Sequence, residues 1–146
     1  MCINCNYENI LSASGLEATV NRIHILETIG NNNYPLTAMD IFNIVDRTQS
    51  MNRVTVYRIL DLLVDKKILE RLSVGSRAAY YGLAPNENHA PHPHFYCTEC
   101  GQMDCLNSES ININADSLRK TFPGEIQRVE VRVDGICKNC LKQQVH

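Results

Sequence analysis

Ser50-Met51-Asn52-Arg53-Val54-Thr55-Val56-Tyr57-Arg58-Ile59-Leu60-Asp61-Leu62-Leu63-Val64-Asp65-Lys66 is the run on which the fold turns. At helical spacing, Val56, Ile59, Leu60 and Leu63 form one stripe that points to a core, while Arg53, Tyr57, Arg58 and Asp61 share the opposite face. Downstream, Leu69 to Leu83 reads as two short strands around Val74-Gly75-Ser76-Arg77. Upstream, Thr37-Ala38-Met39-Asp40 has the capping-box form and opens a helix that buries Met39, Ile41 or Phe42, and Val45. Before it, Thr19 to Gly30 predicts a helix with Val20, Ile23, Leu26 and Ile29 on its buried stripe. Three helices followed by a hairpin is the winged helix-turn-helix layout. Its second motif helix enters the major groove and its hairpin touches the backbone.

The outward face of the Ser50–Lys66 helix suits that role. Arg53 and Arg58 can bind phosphates or a guanine edge, Thr55 and Tyr57 can reach thymine methyls or phosphate oxygens, and Arg77 stands at the hairpin tip. Bulk charge does not advertise nucleic acid: the formal net charge is −2, with eight basic and eight acidic residues over 1–84 and six against eight over 85–146. Any DNA contact must come from a local basic face.

The second half is organised by cysteine. Cys97-Thr98-Glu99-Cys100 and Cys137-Lys138-Asn139-Cys140 are two CxxC knuckles separated by 36 residues. Four thiolates brought together make the ligand set of a closed structural zinc site, and the long spacer means that the metal ties the two ends of a subdomain. His89, His92 and His94, with Cys105 just beyond the first knuckle, offer a separate ligand group that can report rather than hold. Residues 85–94, Pro-Asn-Glu-Asn-His-Ala-Pro-His-Pro-His, carry three prolines and read as a linker. The chain thus divides into 1–84, a hinge over 85–94, and a domain over 95–146 with Asp116 to Thr121 helical and Glu125 to Val133 a strand. No signal peptide and no apolar run near 18 residues is visible, so the seven cysteines are expected reduced in a cytoplasm, with no membrane partner. Cys2 and Cys5 form a further CxxC at a terminus expected to be disordered, and His24 is expected to pack rather than ligate. No Ser/His/Asp arrangement, paired carboxylates or phosphate loop suggests an enzyme. A thiol–disulfide enzyme lacks its strand-to-helix CxxC here, and a metal-storage protein would leave the Tyr57/Arg58 helix unexplained.

Asn52-Arg53-Val54-Thr55-Val56-Tyr57-Arg58-Ile59-Leu60 resembles the recognition-helix signature of the ferric uptake regulator family. Gly15-Leu16 with Thr19 and Arg22 resembles its helix-entry motif, and His92-Pro93-His94-Phe95-Tyr96-Cys97-Thr98-Glu99-Cys100-Gly101 its His-x-His-x-x-Cys-x-x-Cys-Gly signature. Gly135-Ile136-Cys137 through Cys140 matches its second knuckle. The resemblance implies an α+β architecture: an N-terminal winged helix, then a small α/β dimerisation domain with a four-cysteine zinc site. It implies a homodimeric, metal-dependent transcriptional repressor of metal-homeostasis or peroxide-defence genes that binds A/T-rich palindromic double-stranded DNA. Tyr57 would contact bases and Arg58 phosphates; Cys97, Cys100, Cys137 and Cys140 would hold structural Zn²⁺; His92, His94 and Cys105 would fall in the regulatory site, with His89 a candidate fourth ligand.

The departures from the family pattern set the expected metal. Cys105 stands where members commonly place a carboxylate, and sulfur moves preference from Fe²⁺ and Mn²⁺ towards Zn²⁺. Tyr34-Pro35 lies where iron and peroxide sensors often supply a histidine, and Gly82 where many have a hinge acid. Pro91 and Asn112 replace ligands of an accessory site, and Glu17 weakens one minor-groove contact. The expectation is therefore zinc sensing, with iron or peroxide response as the alternative.

Overall fold

A computed structural model describes residues 5–32, 34–72, 79–86 and 91–144. The chain forms two compact units, Met1–Ala90 and Pro91–His146. Arg77, His89, Cys2 and His146 lie outside the described residues.

The first unit carries four helices and a small sheet: α1 (Tyr7–Ala13), α2 (Val20–Gly30), β1 (Leu36–Thr37), α3 (Ala38–Thr48), α4 (Arg53–Asp65), β2 (Leu69–Leu72) and β3 (Tyr80–Leu83). Each helix start has a local cause. Thr19 accepts from the Arg22 backbone N–H to open α2, and Asn52 accepts from the Thr55 N–H at 2.8 Å to open α4. Thr37 and Asp40 complete the expected capping box of α3. α4 ends through the Ile68 N–H on the Leu63 carbonyl and the Lys67 N–H on the Val64 carbonyl, with Lys67 left-handed at φ 60°. That stop turns the chain directly into β2. Strands pair antiparallel in the order β1-β3-β2, with Leu69 opposite Leu83 and Leu72 opposite Tyr80.

Ile25, Leu26, Ile41, Val45, Val56, Leu60, Leu63 and Leu69 form the core of this unit. Several expectations need correction. Val20 is 68% exposed, and Ile25 takes its place on the buried stripe of α2. Met39 is 42% exposed, because the capping box fixes the first turn of α3 at the rim, leaving Ile41 and Val45 to the core. Ile59 is half-buried and only packs against the core. Of the Cys2/Cys5 terminus expected to be disordered and reduced, the described Cys5 instead packs against the core and is disulfide-bonded; α1 follows it, with Leu11 fully buried and Tyr7 against the core. Tyr7 meets α2 at Gly30, where a β-carbon would fall on the Tyr7 hydroxyl and 3.0 Å from its Cζ. His24 does not ligate: its Nε2 shares a 2.8 Å hydrogen bond with Thr48 Oγ1, joining α2 to α3.

The second unit is built of β4 (His94–Cys97), β5 (Met103–Cys105), α5 (Ala115–Thr121), β6 (Arg132–Gly135) and α6 (Lys138–Gln144), with its strands in the order β5-β4-β6. β4 pairs antiparallel with β5 and parallel with β6. The predicted strand over Glu125 to Val133 is displaced: pairing begins only at Arg132, and the residues before it stay exposed for most of their length. Neither α5 nor α6 buries a residue. Hydrophobic burial in this unit thus rests on a few side chains around Tyr96, Cys97 and Met103.

Candidate metal centres and nucleic-acid face

Parallel pairing of β4 with β6 sets Cys97 beside Gly135, two residues before Cys137. The Thr98 N–H and hydroxyl both donate to the Gly135 carbonyl, at 2.8 and 3.2 Å, and lock the two knuckles in register. The Gly101 N–H closes the first knuckle on the Cys97 carbonyl at 2.9 Å, and its φ of 78° is one that a β-carbon would strain. Cys137 and Cys140, three residues apart at the head of α6, share a helix face.

The four sulfurs lie within 4.8 Å of one another. Cys97–Cys140 and Cys100–Cys137 are each separated by 3.8 Å. A disulfide would require about 2.05 Å. A zinc–sulfur bond of about 2.3 Å in a tetrahedron gives sulfur–sulfur edges of about 3.8 Å. Both the donor chemistry and the spacing therefore fit a tetrahedral thiophilic ion held by Cys97, Cys100, Cys137 and Cys140.

Backbone N–H groups of Cys100 and Cys137 point at Cys97 Sγ, at 3.5 and 3.3 Å, and draw its thiol down to about 6. For Cys100, the Gln102 N–H pulls the pKa down but hydrogen bonding to Cys97 and burial outweigh it, and the net shift is upward. Cys140 is pushed up to about 12, by hydrogen bonding to Cys137 and then by burial. At neutral pH Cys97 is thus anionic while Cys100 and Cys140 hold protons that a metal must displace. Raising the pH favours binding, because the metal displaces those protons. Chelator competition at a series of pH values near neutrality should show the apparent association constant rising with pH; a pH-independent constant would contradict it.

The second ligand group forms on β4 and β5. Cys105 is the cross-strand partner of His94 and joins its face, while His92 lies two residues before His94, just outside the strand. The Leu106 N–H on the Pro93 carbonyl, at 2.9 Å, fixes this register. The imidazole rings stand 4.7 Å apart between centroids, tilted by 57°. The candidate donor atoms of His92, His94 and Cys105 lie within 4.8 Å of one another, close enough for one divalent ion to collect them. His94 is buried, His92 half-buried and Cys105 exposed. All three belong to the second unit.

In the first unit, Arg53 and Arg58 on α4 are exposed and Thr55 and Tyr57 half-buried. The Arg53 guanidinium stacks over the Phe42 ring of α3, 5.3 Å from its centroid. Asp61, the acid on this face, is paired at 2.7 Å with Arg71 of β2, and Arg71 also packs on Tyr81. The sequence reading missed Arg71. The alternation of β2 marks it only as a strand residue, and its partner lies on another element.

A winged helix carried in one chain with a cysteine tetrad and a His/Cys triad defines a metal-responsive, DNA-binding transcription regulator. The family model described as "Ferric uptake regulator family" matches residues 13–133, and the chain belongs to that family. Its members regulate transcription and are not enzymes. The chain is 26% identical over 106 residues to the ferric uptake regulation protein of Bacillus subtilis, covering 72% of this chain and 71% of that one. The crystal structure of the Vibrio cholerae ferric uptake regulator superposes with a TM-score of 0.71 at 20% identity, covering 90% of this chain and all of that one. A zinc uptake regulator complexed with zinc and DNA gives a TM-score of 0.65 at 20% identity, covering 95% and 93%. Among the described residues, no helix is long and apolar enough to cross a membrane.

Proposed function

We propose that this chain is a zinc-responsive repressor that binds A/T-rich palindromic operators as a homodimer in the cytoplasm. Cys97, Cys100, Cys137 and Cys140 hold a structural zinc ion. His92, His94 and Cys105 hold the sensed ion, and His89 is the candidate fourth ligand. The observation that carries the reading is the pairing of Cys105 with His94, which gives the site two imidazoles and one thiolate. Soft sulfur suits Zn²⁺ over Fe²⁺ or Mn²⁺. On the DNA side, Arg53, Thr55, Tyr57 and Arg58 of α4 contact the major groove, with Arg77 on the wing.

Dimerisation is supported by what the second unit leaves uncovered. Ile113, Leu118, Phe122, Val129, Val133 and Leu141 are exposed, and the outer edge of β6 has no strand beside it among the described residues. Exposed apolar side chains in a unit that also has an open strand edge suit a second subunit. Two winged helices related by a two-fold read half-sites related by the same symmetry.

The test is affinity for an A/T-rich palindromic duplex, measured with protein that retains only its tightest metal. Micromolar Zn²⁺ should raise affinity at least 10-fold, while Mn²⁺ or Fe²⁺ at the same concentration should not. Equal activation by Fe²⁺ would transfer the reading to iron sensing, and metal-independent binding would end it.

A further inference from the structure

We propose that Val54 is a specificity-determining residue, an apolar knob on α4 that reads the methyl group of a thymine in each half-site. The inference rests on the DNA-binding reading above and adds a contact to it. Val54, Arg58, Asp61 and Asp65 are spaced by four, three and four residues, so they form one ridge along the helix. Val56, Leu60 and Leu63 occupy the opposite side and are buried. That ridge is therefore the outermost line of α4, with Tyr57 set to one side and half-buried against the core.

Charge divides the ridge. Its N-terminal half stands with Arg53 and Arg58, and its C-terminal half with Asp61 and Asp65. Phosphates repel the acidic half, although Arg71 neutralises Asp61 in part at 2.7 Å. The helix consequently enters a groove by its N-terminal end, which also presents the positive end of its dipole. Val54 lies there in the first turn, 56% exposed, between Arg53 and Arg58. Phe42 stacks under Arg53 and holds that neighbour in place.

A valine at this point can donate and accept nothing. Its β-branched side chain is held in one rotamer by the helix, so its two methyls form a rigid surface. The one apolar group that the major groove offers on a base edge is the C5-methyl of thymine. The geometry thus pairs an outward, rigid apolar knob with that methyl, while the flanking arginines fix register on phosphates or guanine.

The experiment couples the two methyl-bearing partners. Duplexes are first recovered by zinc-loaded wild-type protein from a random-sequence library. Each thymine is then replaced singly by deoxyuridine, which removes only the 5-methyl, and Kd is measured for the wild type and for Val54→Ala. Exposure of Val54 and the high helix propensity of alanine keep the variant folded. At one thymine per half-site, deoxyuridine should weaken wild-type binding about four-fold, the worth of one buried methyl. In Val54→Ala that loss should vanish, while the effects at every other thymine persist. A deoxyuridine profile identical in the two proteins would overturn the assignment of Val54 alone. Failure of the wild type to select any sequence would overturn the DNA-binding reading and this inference with it.

Discussion

Cys97→Ser is expected to abolish the structural metal and unfold the carboxy-terminal unit rather than merely loosen one ligand. Cys97 is fully buried and joins the first knuckle to β5 and to the second knuckle. Its sulfur receives two backbone N–H groups, its carbonyl receives the Gly101 N–H, and its own N–H donates to Gln102 at 2.9 Å. Its strand is the central one of three. The apolar side chains buried around it are few, and α5 and α6 bury none. A structural zinc contributes on the order of 10 kcal/mol in small domains, comparable with the whole stability of an ordinary one. Hydrophobic burial here has little with which to replace it. Metal analysis should fall by one tightly bound ion per chain, and limited proteolysis should digest residues 91–146 while sparing the winged helix. A serine variant that keeps its full metal content and a protease-resistant second unit would refute the tetrad.

The same variant should silence the second site, although no residue of the triad is altered. His94 opens β4 and Cys97 closes it, while Cys105 ends the strand that returns from the first knuckle. Closure of the knuckle sets the β4–β5 register, and that register alone brings Cys105 opposite His94. The tetrad is thus a precondition for the triad's geometry, which accords with the proposed division into a holding site and a responding one.

What was readable in the chain follows from how local each signal is. CxxC spacing, the Thr37 capping box and the stripe Val56–Leu60–Leu63 depend on residues within a turn or two, and each appears in the structure. The likeness to a known family, carried by short runs such as His92 to Gly101, agrees with the match over residues 13–133. Features that depend on distant partners were lost. β1 has only two residues, and its pairing with Tyr80 and Tyr81 gives no periodicity to find. α1 is too short and polar to stand out, and only Leu11 and the fit of Tyr7 on Gly30 reveal it as part of the core. Alternation over Glu125 to Val133 suggested a strand, yet Val129 and Val133 are exposed. Only the end of that stretch pairs, Val133 lying opposite Phe95 of β4, and even there the side chain stays uncovered. Triad membership of Cys105 was legible from order along the chain, whereas its pairing with His94 needed the sheet.

Cys105→Asp is expected to exchange the metal preference of the triad while leaving the tetrad intact. The position is exposed at the end of β5, so a carboxylate can be accommodated without burying a charge. Its side chain keeps the same face as His94, and one oxygen can take the place of sulfur. Exchanging thiolate for a hard oxygen donor removes the soft ligand that favours Zn²⁺ and leaves a set suited to Fe²⁺ or Mn²⁺. Zinc affinity at the second site should fall at least 10-fold, about 1.4 kcal/mol or more. The Mn²⁺ concentration needed for operator binding should fall at the same time. Co²⁺ substitution separates the sites: thiolate charge-transfer absorption from the four knuckle sulfurs should persist, while the smaller increment from Cys105 disappears. Cys105→Ser should lose the zinc response without gaining one to manganese. If Cys105→Asp and wild type gave superimposable zinc and manganese curves for operator binding, sulfur at this position would not set the sensed metal.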